Sequence, residues 1–257
     1  MGSTWSAIVR VLIAVTAAIA PVVARGQEHV GWSGSVEANA SLLFGNARDR
    51  LVAGRLQFGR ADSTLDVRTD SRLSYAEATD DDGGRRVSGR TLFASLAADY
   101  RPFERWSPFW FGSFESSLQQ RIDQRYSTGA GAKYTIHRTK DAEASMSLAA
   151  LAEYTVPRLE PAAPDTGAAW RARWSLRVRG RGQITKTTRF SHTTFYQPQV
   201  AHASRYTIRS MTTVAASLTS RTSLTLTFND VYDSESRERG ARTNNDGQLL
   251  FGVNAAF

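Results

Sequence analysis

From Gly31 to the C-terminus, apolar and polar positions alternate with a period of two. In the first run Trp32, Val36, Ala38, Ala40, Leu42 and Phe44 share one parity, and Ser33, Ser35, Glu37, Asn39 and Ser41 share the other. Residues at i, i+2 and i+4 point to one face of a strand, so this run predicts a strand with one apolar and one polar side. It is longer than the roughly five or six residues of a common globular strand and matches the ~9–11 that a tilted strand needs to cross a bilayer.

The pattern recurs. Leu65, Val67, Leu73 and Tyr75 oppose Asp66, Arg68, Asp70, Arg72 and Ser74, and Leu92, Ala94, Leu96, Ala98 and Tyr100 form the apolar side of a later run. Met146 to Tyr154, Trp170 to Val178, Tyr206 to Leu218 and Leu249 to Phe257 repeat it. About twelve such runs are expected, an even number as single-chain bacterial barrels require. Short turns are expected near Arg60–Ser63, Arg101–Arg105, His137–Ala142, Gly180–Gln183 and Ser220–Thr222. Longer polar or Pro/Gly-rich links are expected near Ala76–Ser88, Pro157–Ala168, Gln197–Ser204 and Ser234–Asn245, with Gly45–Arg50 a shorter one on the same side. Such asymmetry is that of periplasmic turns and extracellular loops. Phe44, Tyr75, Tyr126, Tyr154, Trp170, Tyr196 and Tyr206 fall at one set of strand ends, and Trp32, Phe58, Tyr100, Trp106, Tyr134 and Phe257 at the other. Two aromatic girdles around an Ala/Leu/Val band suit a membrane and have no purpose in a soluble sandwich. The expected fold is all-β: a transmembrane, antiparallel, up-and-down barrel with both termini on the periplasmic side.

The N-terminus departs from this period. Val11 to Ala20 is an unbroken apolar run after Arg10, and the small residues Ala24 and Gly26 precede Gln27. The run is shorter than the ~20 residues of a spanning helix, and Pro21 interrupts it. Residues 1–26 are therefore expected to be a cleaved signal peptide and 27–257 the barrel, addressed to the bacterial outer membrane.

Composition changes the picture in two ways. Hydrophobic residues make up 41% of the chain and mean hydropathy is −0.35; a strand that shows lipid only every second side chain keeps both low. There is no cysteine, which removes disulfides and thiolate metal sites. The net charge is +8, but the arginines alternate with apolar residues along strands instead of gathering on one helix or loop face. That distribution argues against a nucleic-acid partner.

Several motifs carry a family resemblance. They are Trp32-Ser-Gly-Ser, Phe44-Gly-Asn46, Ser204-Arg-Tyr-Thr-Ile-Arg-Ser210, Leu218-Thr-Ser-Arg-Thr-Ser-Leu224, Val231-Tyr-Asp-Ser234 and Asn245-Asp-Gly247. The chain resembles the salt-induced outer-membrane proteins, a family of unknown biochemical function in Gram-negative bacteria. Ala47 departs from the Gly-Asn-Thr that often continues the second motif. The terminal Phe257, with apolar residues at alternate positions before it, is similar to the signal read by the barrel-assembly machinery. The resemblance implies the fold and the location, and no activity, cofactor or metal.

For chemistry, the arginines say most. Arg171, Arg173, Arg177, Arg179 and Arg181 share one parity opposite Trp170, Trp174 and Leu176. An arginine facing lipid at mid-bilayer costs ~2–4 kcal/mol, so this face is expected to line the lumen. Arg55, Arg68, Arg72, Lys133, Arg189, Arg205 and Arg209 have the lumen parity of their own runs, with Glu37, Asp66, Asp70, Asp99, Glu115, Glu143 and Glu153 as acidic counterparts. One reading is a narrow channel preferring small anions, because rings of basic side chains select anions. The alternative is a stress-related or structural barrel with a closed, salt-bridged interior. A lipid hydrolase is a third reading: His29, His137, His192 and His202 are the histidines, and only His192 lies among hydroxyls, with its neighbour Ser191 on the opposite strand face. Asp80-Asp81-Asp82-Gly83 lacks the spaced ligands of a calcium loop and reads as a solvated link near lipopolysaccharide. Membrane lipids, lipopolysaccharide and the assembly machinery are the expected partners.

Overall fold

The computed structural model describes residues 31–42, 49–79, 84–158 and 167–257. The predicted signal peptide, His29, Phe44-Gly-Asn46 and the Asp80–Asp82 run lie outside them. Twelve strands follow in order: β1 (Gly31–Leu42), β2 (Asp49–Ala61), β3 (Leu65–Thr79), β4 (Arg85–Tyr100), β5 (Trp106–Ser117), β6 (Ile122–Arg138), β7 (Ala142–Pro157), β8 (Ala169–Gln183), β9 (Thr188–Pro198), β10 (Tyr206–Ser217), β11 (Thr222–Asp233) and β12 (Asn245–Ala256). Each pairs antiparallel with its sequence neighbours, and β1 pairs with β12 to close the barrel. Among the described residues no helix is long and apolar enough to cross a membrane; strands of this length do so.

Burial is inverted relative to a soluble protein. Among the described residues the buried apolar side chains are Ala53, Ile122, Ala149, Leu151 and Leu250, a far smaller set than the buried polar and charged ones. On β7, Ser145, Ser147, Glu153 and Thr155 are buried while Met146 and Leu148 are exposed. The exposed Leu56, Leu92, Leu96, Leu176, Leu226 and Phe251 continue that apolar face around the wall. So much contiguous apolar surface is stable only against lipid.

Ring pairs mark the two rims. Trp32 stacks on Phe58 with centroids 4.9 Å apart, and Trp106 meets Tyr134 at 4.7 Å. At the other rim Tyr154 meets Trp170 at 5.1 Å, and Tyr206 lies between Tyr196 and Tyr232 at 5.6 and 5.4 Å. These cross-strand aromatic contacts hold neighbouring strands where the apolar band ends.

The seam between β1 and β12 is short, running from Ser35↔Ala256 to Ala40↔Phe251. Phe257 extends it: its main chain exchanges two 2.9 Å hydrogen bonds with Gly34. Its ring covers Gly34 so closely that a Cβ there would lie 2.5 Å from the ring. The terminal residue expected to guide assembly thus also locks the closure.

Three of the expected links take a different form, and the link at 118–121 between β5 and β6 was not expected. β3 continues to Thr79 and β4 begins at Arg85, because the polar residues assigned to a loop keep pairing across a bulge at Ala76/Glu77. β8 runs through Gly180 to Gln183, since glycine there faces open space and does not break the ladder. The turn comes four residues later, where Thr185 Oγ1 accepts from the Thr188 main chain at 3.0 Å. The third difference is the link after β11, which folds into the barrel. In the β2–β3 turn, the Leu65 and Thr64 amides donate to Asp62 and hold its carboxyl below the usual carboxylate range.

Candidate functional site

The polar faces of all twelve strands converge on the lumen, so the candidate site is the barrel interior. It has two differently built halves, one toward the long links and one toward the termini.

Toward the long links a single ion network crosses the barrel. Arg125 on β6 contacts Glu115 at 3.4 Å, Glu153 at 3.7 Å and Asp233 of β11 at 3.0 Å. Arg209 on β10 reaches Glu115 on β5 through two bonds of 2.6 and 3.0 Å. Such paired donors match both carboxylate oxygens and fix the guanidinium plane. Arg173 is 1% exposed and bonds Glu153 at 3.1 Å and Glu235 at 3.2 Å. Its third donor reaches the Gln197 carbonyl at 3.0 Å, where Pro198 ends the β9 strand and cannot donate to a ladder.

The link between β11 and β12 supplies the far side of this network. Glu235 gathers Arg171, Arg173 and Arg205, and accepts from Gln199 at 2.8 Å. Arg239 returns to Asp233 at 2.8 Å and donates to the Gln120 carbonyl at 3.1 Å. Glu235, Ser236 and Arg239 are all buried. A cleft of about 60 Å³ remains at this end, lined by Arg171, Arg205, Glu235 and Glu238 among others. These bonds pin the link to the barrel wall.

At mid-height, Arg55 bonds Asp70 at 2.6 and 3.1 Å, and Arg72 shares the same carboxylate at 2.7 Å. Arg55 also reaches the Met211 sulfur at 3.7 Å, from β2 to β10. Glu37 accepts from Thr225 at 2.8 Å. Arg177 lies 5.3 Å from the Phe109 ring and 5.9 Å from Phe195, and donates to Ser147 at 3.0 Å.

Toward the termini, Lys133 pairs with Asp99, Arg68 with Asp66, and Glu143 with Arg138 and Arg181. Arg189 is exposed at the mouth. Among the described residues, no carboxylate pairs with Arg177, Arg179 or Arg189. The cations that are left unneutralised therefore belong to mid-height and to this half.

Of the strand-borne charged residues singled out in the sequence, Glu37, Asp66, Glu115, Lys133, Glu153 and Arg173 are buried, while Arg68 and Arg181 stay more than half exposed; Arg205 lies in the link before β10, at the rim. Arg173 differs too: its neutralised, buried guanidinium leaves nothing for a passing solute. Arg125, Asp233, Glu235 and Arg239 were missed. Arg125 has the parity of Lys133 and Asp233 that of Thr225 and Thr227, so alternation would have found both. Glu235 and Arg239 sit in a polar link with no period to betray burial.

His192 faces the outer wall. Its Nδ1 contacts Thr212 Oγ1 and its Nε2 contacts Thr194 Oγ1, each at 2.8 Å, and among the described residues no carboxylate bonds to it.

No curated protein matches the sequence. By structure the chain is similar to the NanC porin, with a TM-score of 0.51, 8% identity, and 86% of this chain and 98% of that one covered. It is also similar to the KdgM porin (TM-score 0.44, 12% identity, 87% and 99% covered). An outer membrane channel from Pseudomonas putida F1 overlaps at a TM-score of 0.47 with 12% identity, covering 93% and 98%. At these identities the likeness concerns the fold. Residues 36–257 match the family described as "Protein of unknown function, DUF481", and the chain belongs to that family.

Proposed function

We propose that this protein is an outer-membrane barrel that passes small anions through a narrow, arginine-rich lumen, with the short turns and termini in the periplasm. The observation that carries this reading is the set of inward cations, Arg177, Arg179 and Arg189, that have no carboxylate partner among the described residues. Fixed positive charge in a narrow, low-dielectric passage attracts anions and repels cations. Outer-membrane lipids and lipopolysaccharide would cover the apolar wall, and the assembly machinery would read the strand ending in Phe257. The fold shared with the NanC porin fits this reading without carrying it.

A second reading is a closed barrel without transport. It is favoured by the ion pairs that span the interior, Arg125–Asp233 and Arg209–Glu115, and by the buried β11–β12 link. Proteoliposomes loaded with a chloride-quenched dye separate the two. Quenching faster than in protein-free vesicles, with little potassium flux, supports the channel. Quenching no faster than in empty vesicles supports the closed barrel.

A further inference from the structure

Arg177 and Arg179 sit two residues apart on the inward face of β8. Arg177 is held firmly: Nε donates to Ser147 Oγ at 3.0 Å, and the rings of Phe109 and Phe195 lie 5.3 and 5.9 Å from its guanidinium carbon. Its terminal nitrogens meet no carboxylate among the described residues. Arg179 is half-buried, has no hydrogen bond or ion pair there, and feels the charges of Arg68, Arg181 and Arg177, offset in part by Glu143. The nearby acids are engaged elsewhere, Asp99 by Lys133, Asp66 by Arg68 and Glu143 by Arg138 and Arg181.

Keeping two partly desolvated guanidinia on one strand face, with the nearest acids already bonded to other cations, costs stability. The same barrel neutralises Arg125, Arg173, Arg209 and Arg239 with care, so the mismatch is local. A ligand of charge −2 with several acceptor oxygens would remove it, because the guanidinium fork donates two parallel bonds to such a group. Ser145 and Thr193 are the register partners of Arg179 on β7 and β9, and Ser147 that of Arg177, so hydroxyl donors stand on both sides. A halide or a monocarboxylate would leave one guanidinium unpaired.

We propose that Arg177 and Arg179 form a fixed binding site for a small tetrahedral oxyanion of the phosphate or sulfate class. The site opens toward the end that carries the termini, since the network around Arg125 and Glu235 narrows the other. This rests on the reading that the interior admits anions, but makes a separate claim: saturable binding at one place.

Isothermal titration of the intact barrel in detergent with inorganic phosphate and with sulfate, at constant ionic strength in chloride, tests it. One saturable site is expected for each. Arg179→Ser should weaken it by about tenfold or more, the loss of charge-assisted bonds. Arg177→Lys, which keeps the charge and loses the fork, should also weaken it, while Lys186→Ser in the exposed turn should not. Unheated gel migration confirms that each variant is folded. Absence of saturable binding, or equal binding by the Arg177→Ser/Arg179→Ser double variant, overturns the site. Ion conductance in the same preparation keeps the two claims apart. Conductance without saturable binding leaves the channel and removes the site; binding without conductance leaves the site and removes the channel.

Discussion

Arg173 and Arg177 share a face of β8 four residues apart, and nothing in the sequence distinguishes them. Their surroundings do: Arg173 is enclosed by Glu153, Glu235 and the Gln197 carbonyl, whereas Arg177 has a serine and two rings. Arg177→Ser should therefore lower the anion-to-cation permeability ratio, and Arg173→Ser should leave it nearly unchanged while destabilising the barrel. Glu115 offers the sharper stability test, since among the described residues it is the one carboxylate paired with Arg209 and one of three paired with Arg125. Glu115→Ala should cost about 3–5 kcal/mol, the usual penalty for stranding a buried charge, measured as a shift in the urea midpoint of refolding into lipid. Alternation told which face each side chain takes. It could not tell which charges meet, because the decisive pairs join β5 to β10 and β6 to β11, strands that are not neighbours in the sheet and lie far apart in sequence.

The strands themselves were legible because a two-residue period leaves little choice of face. Their ends were less so, since polar residues of β3 and β4 beyond the apolar band look the same whether paired or looped. Gly131 shows why the β6–β7 ladder tolerates no bulk: a Cβ there would lie 2.1 Å from the Leu148 carbonyl oxygen. Gly131→Val should abolish the heat-dependent gel shift of the folded barrel. The burial of the link after β11 was not legible in the sequence, because a charged segment satisfied by buried partners has the composition of one satisfied by water. Replacing 235–242 with a Gly/Ser stretch of equal length removes Glu235 and Arg239 together. Single-channel conductance should then rise severalfold, and an unchanged conductance would mean that the link obstructs nothing.

For the molecule as a whole, closure and lipid-facing wall follow from the same even-numbered alternation, and the wall makes a quantitative demand. Leu148 is 54% exposed at mid-strand on β7. Leu148→Arg should destabilise folding into lipid by ~2–4 kcal/mol, with Leu148→Ala as the control for lost packing. The net charge of +8 announced an anionic preference only in bulk. Among the described residues that charge falls into an ion-paired network at one end and guanidinia without carboxylate partners toward the other, a division that depends on folding and not on composition. The central claim, that these unpaired cations make an anion path, is tested most directly by the reversal potential of the purified barrel in a planar bilayer under a potassium chloride gradient. The account predicts conductance steps whose reversal potential has the sign of chloride selectivity and moves toward zero in the Arg177→Ser/Arg179→Ser variant. Cation selectivity, or the absence of conductance steps, would contradict it.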